Sequence, residues 1–142
     1  MKGQFYMHFE TMPKGTAQQK GVYVRNGRPY FYTKDKVENA KALFMAELFP
    51  HRPKKPVEGP VKLTVFLHFD VKNKSLWGKP KTTKPDLDNE VKLLIDVFAD
   101  LKFFAVGDQQ ITSLHLIKRW GPKPTVDITI EPLEVIKTYD TV

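Results

Sequence analysis

Five apolar residues spaced two apart, Val61, Leu63, Val65, Leu67 and Phe69, constrain this chain more than any other feature. Side chains of an extended strand alternate between its two faces, so this run reads as a strand with one face against a core. A strand of that kind needs something apolar to cover it. From Asp88 to Leu101 the residues Val91, Leu94, Ile95, Phe98 and Leu101 fall at helical spacing and predict a helix with a buried face.

The other elements follow from the same two periods. Phe5, Met7 and Phe9 alternate with Tyr6 and His8 between Gln4 and Glu10, a second strand pattern, and Met12 to Gly21 reads as a flexible basic loop. Val22–Arg25 and Arg28–Tyr32 flank Asn26-Gly27, a dipeptide suited to positive backbone angles and hence to a tight hairpin. Thr33 or Asp35 caps a helix to about Phe49, with Val37, Ala40, Leu43, Phe44 and Leu48 along one face. Pro50 ends it, and the run Pro50–Pro56 is expected to be an irregular connector, because each proline lacks an amide donor. Strands at Ile111–Trp120 and Thr125–Pro132 are expected to meet across the turn signal Gly121-Pro122-Lys123-Pro124. Mixed order of this kind suits an α+β fold, with two main helices packed on a mixed or antiparallel sheet. A chain of 142 residues has enough surface to enclose one core, so residues 1–142 are expected to form a single domain.

Composition narrows the chemistry. The absence of cysteine excludes disulfides, thiolate zinc sites and cysteine nucleophiles. His8, His51, His68 and His115 show no i, i+4 pairing, which leaves a histidine zinc site without support. Any metal must therefore be held by oxygen. No run approaches the roughly 20 apolar residues of a membrane span, and the start lacks a signal pattern, so the cytoplasm is the expected location. The formal charge of +7 favours a polyanionic partner, since phosphate contacts by lysine and arginine release counterions.

The densest functional signal is Lys84-Pro85-Asp86-Leu87-Asp88-Asn89-Glu90-Val91-Lys92. It follows a basic stretch that holds Lys72, Lys74, Lys79, Lys81 and Lys84 with Trp77 among them. If Asp86 and Asp88 lie in an extended segment, their carboxylates point the same way about 6.6 to 6.8 Å apart and can share one cation. Leu87 then points inward as an anchor, and with Asp88 as the helix cap Lys92 lies one turn along the same face. Carboxylates suit a hard ion such as Mg²⁺, and a positioned ammonium suits a phosphate. The plain alternative is that one aspartate only caps the helix, which does not account for the second.

These residues resemble the RusA-type Holliday junction resolvases of bacteria and their prophages. The pattern Asp-x-Asp-Asn, a lysine one turn on and a further aspartate reads here as Asp86, Asp88, Asn89, Lys92 and Asp96. The family's Asp-Asp-x-Gln motif is similar to Gly107-Asp108-Gln109-Gln110, with Gly107 where the first aspartate usually stands. The likeness runs from about Phe9 to Trp120. It implies a homodimeric endodeoxyribonuclease, dependent on Mg²⁺ or Mn²⁺, that nicks opposing strands of a four-way junction, with no small-molecule cofactor and no membrane contact. It also implies Asp86, Asp88 and Asp108 as metal ligands and Lys92 as a catalytic residue; because Gly107 departs from the family pattern, Asp100 is the alternative third ligand if the loop folds back. Asn89 and Asp96 stand behind them. Lys72, Lys74, Lys79, Lys81, Lys84, Arg25 and Arg28 are expected on DNA.

Two rival readings remain open at this level. One is a non-catalytic nucleic-acid-binding module with Tyr23, Tyr30 and Tyr32 as a stacking platform. Acids within a basic surface oppose it unless a cation lies between them and the phosphates. The other keeps the nuclease and changes the target to other branched DNA.

Overall fold

A computed structural model describes residues 3–9, 12–13, 20–33 and 35–133, with side chains described at 9, 12–13, 24–29 and 39–133. Its strands are β1 (Gly3–His8), β2 (Lys20–Arg25), β3 (Arg28–Thr33), β4 (Val61–Asp70), β5 (Ile111–Gly121) and β6 (Thr125–Pro132), and its helices are α1 (Asp35–Leu48) and α2 (Leu87–Asp100). Most of the loop expected at 12–21, and the side chains of Tyr23, Tyr30 and Tyr32, lie outside the described residues.

The alternation in β4 does what its period requires. Val61, Leu63, Val65 and Leu67 are fully buried, while Lys62, Thr64, Phe66 and His68 are only half-buried on the other face. Over the buried row lies α2, which contributes Val91, Leu93, Leu94, Val97 and Phe98, and α1 adds Ala40, Phe44 and Leu48. Burial of such apolar side chains stabilises by about 1.5–3 kcal/mol each. Phe103 and Phe104 close the core behind α2, with Phe103 edge-on to Phe98 at 4.8 Å between ring centres. The fold is α+β, as expected from the order of elements.

The larger sheet has the order β1-β6-β4-β5. β4 and β5 are parallel, which requires a crossover, and α2 supplies it; β6 pairs antiparallel with both β4 and β1. The sheet is thus mixed. One expectation fails: β5 and β6 are joined by the turn at 121–124 but do not pair, because β6 crosses to the far side of β4. The hairpin of β2 and β3 forms a separate two-stranded sheet, with Asn26 and Gly27 at φ 53° and 74° as its turn chemistry demands.

Two smaller departures have local causes. Leu43 is 47% exposed, off the row of Ala40, Phe44 and Leu48, whose i+4 spacing defines the buried stripe. Pro50 does not begin irregular chain directly but sits in a short 3-10 turn, Phe49–His51. Proline is tolerated there because the first amides of a helical turn have no partner to lose. Among the described residues no helix is long and apolar enough to cross a membrane.

Candidate active site

Asp86 stands just ahead of α2 in an extended conformation, φ −65° and ψ 135°, and its carbonyl accepts the Glu90 amide at 3.0 Å. It therefore occupies the cap position without capping: its side chain makes no bond to the helix amides. The carboxylate instead accepts from Lys84 Nζ at 2.9 Å and, more weakly, from Asn89 Nδ2 at 3.5 Å. The Lys84 ammonium, by hydrogen bond and then by charge, holds this carboxyl below the ordinary aspartate value, with Lys118 adding a smaller pull.

The helix starts one residue earlier than expected, at Leu87, so Asp88 already lies within its first turn. That overturns the extended Asp86–Asp88 geometry and the capping role of Asp88. A helical step turns the chain by about 100°, and two such residues no longer share a face. Asp88 shares its face instead with Lys92 and Asp96, at i+4 and i+8. Leu87 is half-buried and packs on the core, as its anchoring role predicts.

Between α2 and β5 lies a hollow of about 250 Å³, lined by Asp88, Lys92, Asp96 and Asp108 over an apolar floor that includes Leu114 and Leu116. The helix brings the first three, and the loop after it brings the fourth. Asp96 is pushed above the ordinary aspartate value, first by burial, against the pull of Lys41 and Lys92 and with further upward pressure from Asp100 and Asp108. Asp100 itself is exposed at the end of α2 and does not line the hollow. Asp86 does not line it either.

Asp108 owes its position to a residue that sequence reasoning left without a role. Gln110 is buried, and its side-chain amide bonds in four directions. Its Nε2 donates to Val57 O at 2.8 Å and Gly59 O at 2.9 Å, while its Oε1 accepts from Val106 N at 2.6 Å and Gly107 N at 3.3 Å. The loop carrying Asp108 is thereby pinned to the connector before β4. The signal was present as the glutamine of the Asp-Asp-x-Gln motif. Glu90, fully buried in the first turn of α2, was likewise passed over.

The basic residues divide. Lys72, Lys74, Lys79, Lys84, Arg25 and Arg28 are exposed. Lys81 is not: it is 7% exposed, with its ammonium on the carbonyl and hydroxyl of Thr83 and on the carbonyl of Lys84. It is withdrawn from the surface expected to face DNA. Trp77 stays 39% exposed, although its ring nitrogen donates to Val71 O at 2.9 Å.

Whether these acids suit a divalent ion can be judged from the donor set. Among the described residues no three acids stand together as a ready metal cluster. Mg²⁺, however, commonly takes one or two carboxylates and fills its remaining positions with water and substrate phosphate. Asp88 and Asp108, facing one hollow beside an ammonium, fit that requirement, whereas Asp86 stands outside its lining with its carboxylate engaged by Lys84.

Over 132 residues, 92% of this chain and 98% of the relative, the sequence is 34% identical to a protein of Lactococcus phage r1t named crossover junction endodeoxyribonuclease rusA. It is also 27% identical over 118 residues, 75% of this chain and 82% of the relative, to the uncharacterized protein YqaN of Bacillus subtilis (strain 168). Residues 10–131 match the family model described as endodeoxyribonuclease RusA. The chain belongs to the RusA family of endodeoxyribonucleases.

Proposed function

We propose that this chain resolves four-way DNA junctions by paired symmetric nicks, as a Mg²⁺-dependent homodimer acting in the cytoplasm, and that residues 1–142 work as one RusA-like domain. The observation that carries the reading is the hollow shared by Asp88, Lys92, Asp96 and Asp108 within a basic chain of this family. Asp88 and Asp108 would hold the ion, with Asp86 as the third carboxylate. When bound, Mg²⁺ would neutralise charge developing on the phosphate and make a water nucleophilic.

The protein's own residues would do the rest. Lys92, on the face of α2 that carries Asp88, offers a fixed ammonium to a non-bridging phosphate oxygen and stabilises charge as it builds there. Asp96, one turn further, attracts that ammonium and restrains its direction. Asn89 steadies Asp86 through the weak contact already described. Lys72, Lys74, Lys79 and Lys84 line the exposed lead-in to α2, and Arg25 and Arg28 the hairpin tip, where they can take phosphates of the junction arms. A two-fold dimer would present equal sites to the two equivalent strands of a junction.

The test is cleavage of a synthetic four-way junction and of linear duplex, with Mg²⁺ or a chelator, by the wild-type chain and by Asp88→Asn. Paired nicks are expected only for junction with metal, and Asp88→Asn should bind without cutting. Cutting that persists in chelator would overturn the metal assignment, and preferential cutting of flaps or forks would overturn the substrate.

A further inference from the structure

Two lysines, one buried and one half-buried, grip the backbone on which Asp86 is mounted. Lys118 Nζ donates to Thr83 O and to Pro85 O, each at 2.7 Å. Lys81 Nζ donates to Thr83 O at 3.1 Å, to Thr83 Oγ1 at 2.6 Å, and to Lys84 O. Three successive carbonyls ahead of Asp86 thus end on an ammonium, and that of Thr83 takes both. An ammonium has only donors to offer, so carbonyls converging on it are bound without competition from its own acceptors.

The placement of both lysines is unusual for their type. The register of β5 on β4 sets Leu114, Leu116, Lys118 and Trp120 beside Leu63, Val65, Leu67 and Phe69, so Lys118 occupies the inward row where an apolar residue is the rule. Lys81 is buried with its ammonium 5.1 Å from the Phe69 ring centre and 4.7 Å from that of Trp120. Withdrawing such charges from water is unfavourable unless partners replace the water, and here carbonyls and ring faces do. Their backbones are tied as well: Lys81 N donates to Lys118 O at 3.1 Å, Trp120 N to Lys79 O at 3.0 Å, and Gly78 N to Trp120 O at 2.9 Å. Residues 78–81 therefore ride on the outer edge of β5, and the grip is anchored in the sheet.

We propose that Lys118, together with Lys81, is a positioning residue for the nuclease reaction: the pair clamps residues 83–85 to β5 and so fixes where α2 begins and where Asp86 and Asp88 stand. The inference rests on the reading of those aspartates as ion-holding residues. It gives the two lysines a task distinct from phosphate binding, and the two tasks predict different kinetics. A phosphate contact would weaken junction affinity, whereas a clamp would slow cutting at unchanged affinity.

The experiment uses the full chain with Lys118→Met and Lys118→Gln, the second keeping a donor on a slightly shorter side chain. Junction affinity is measured in chelator, single-turnover cutting in Mg²⁺, and amide hydrogen exchange over residues 84–91 without metal or DNA. Lys118→Met should cut about 10- to 100-fold more slowly, bind the junction as the wild type does, and exchange faster over 84–91; Lys118→Gln should recover part of each loss. A loss of affinity matching the loss of rate, or exchange unchanged in both variants, would overturn the clamp. Asp86→Asn run alongside separates the two readings. Should it cut normally, the role of Asp86 fails, while faster exchange in Lys118→Met would still support the clamp and unchanged exchange would sink it.

Discussion

Replacing Gln110 by methionine keeps the length and volume of the side chain and removes all four of its hydrogen bonds, so it isolates what the buried amide contributes. A net contribution of about 0.5–1.5 kcal/mol per bond sets an upper range of about 2–6 kcal/mol. The surroundings place the answer low in that range. Val57 O still accepts from Ala105 N at 2.9 Å, and Gly59 and Val106 are exposed enough for water to reach their freed groups. The expected loss is about 2–3 kcal/mol, a fall in melting temperature of roughly 5–10 °C for a chain of this size. Gln110→Glu should be worse, because a carboxylate oxygen would then face Val57 O and Gly59 O in place of a donor. Since Asp108 rides on the same loop, cutting should fall in Gln110→Met at temperatures where it remains folded, with junction binding retained. Melting followed by circular dichroism, with cleavage at a temperature well below both midpoints, reads each part. A midpoint within about 1 °C of wild type, or Gln110→Glu no worse than methionine, would refute the accounting.

Neutralising Lys72, Lys74 and Lys79 together should reduce the slope of log affinity against log salt by about 2–3, as three phosphate contacts are lost, with little effect on melting; a salt titration of junction binding checks this. Asp96→Asn removes a carboxylate whose folded-state value is raised, chiefly by burial, so at neutral pH the variant should melt no lower than wild type. The unfolded chain ionises near 3.8 and the folded chain only above that, so wild type loses stability relative to the variant as pH rises from about 3.8 through the raised value, and the gap then stays level. Melting across that window tests the sign, and a gap that opens in the opposite direction would show that the attraction of Lys41 and Lys92 outweighs burial.

Much of the fold was legible because local periods report local facts. The alternation of β4, the helical spacing of α2 and the Asn26-Gly27 turn each name an element from a few neighbouring residues, and each element is present with its ends displaced by a residue or two. Strand neighbours were not legible in the same way. The turn at Gly121–Pro124 reads as a hairpin, yet nothing in a local pattern says that β4 will lie between β5 and β6. That pairing depends on contacts far apart in the chain, as between Leu63 and Ile130, and on the crossover that α2 makes over the sheet.

The acids show the same division at finer scale. Asp88, Lys92 and Asp96 could be placed on one face from their spacing alone, because within a helix spacing determines direction. Asp86 could not, since its direction depends on whether helix or strand geometry begins at Leu87, a boundary of a single residue. For the lysines, charge counting is weaker still. Five lysines between 72 and 84 read as equal contributors to a basic surface, but Lys81 faces inward and holds backbone, while Lys118, in a strand that suggests no role for it, reaches the same Thr83 carbonyl and that of Pro85. What distinguishes them is the face of the sheet on which each lies. A lysine in the inward row of a strand must find acceptors there or forgo its hydration, so in a chain of this charge such a residue points to a held segment more directly than to a bound phosphate.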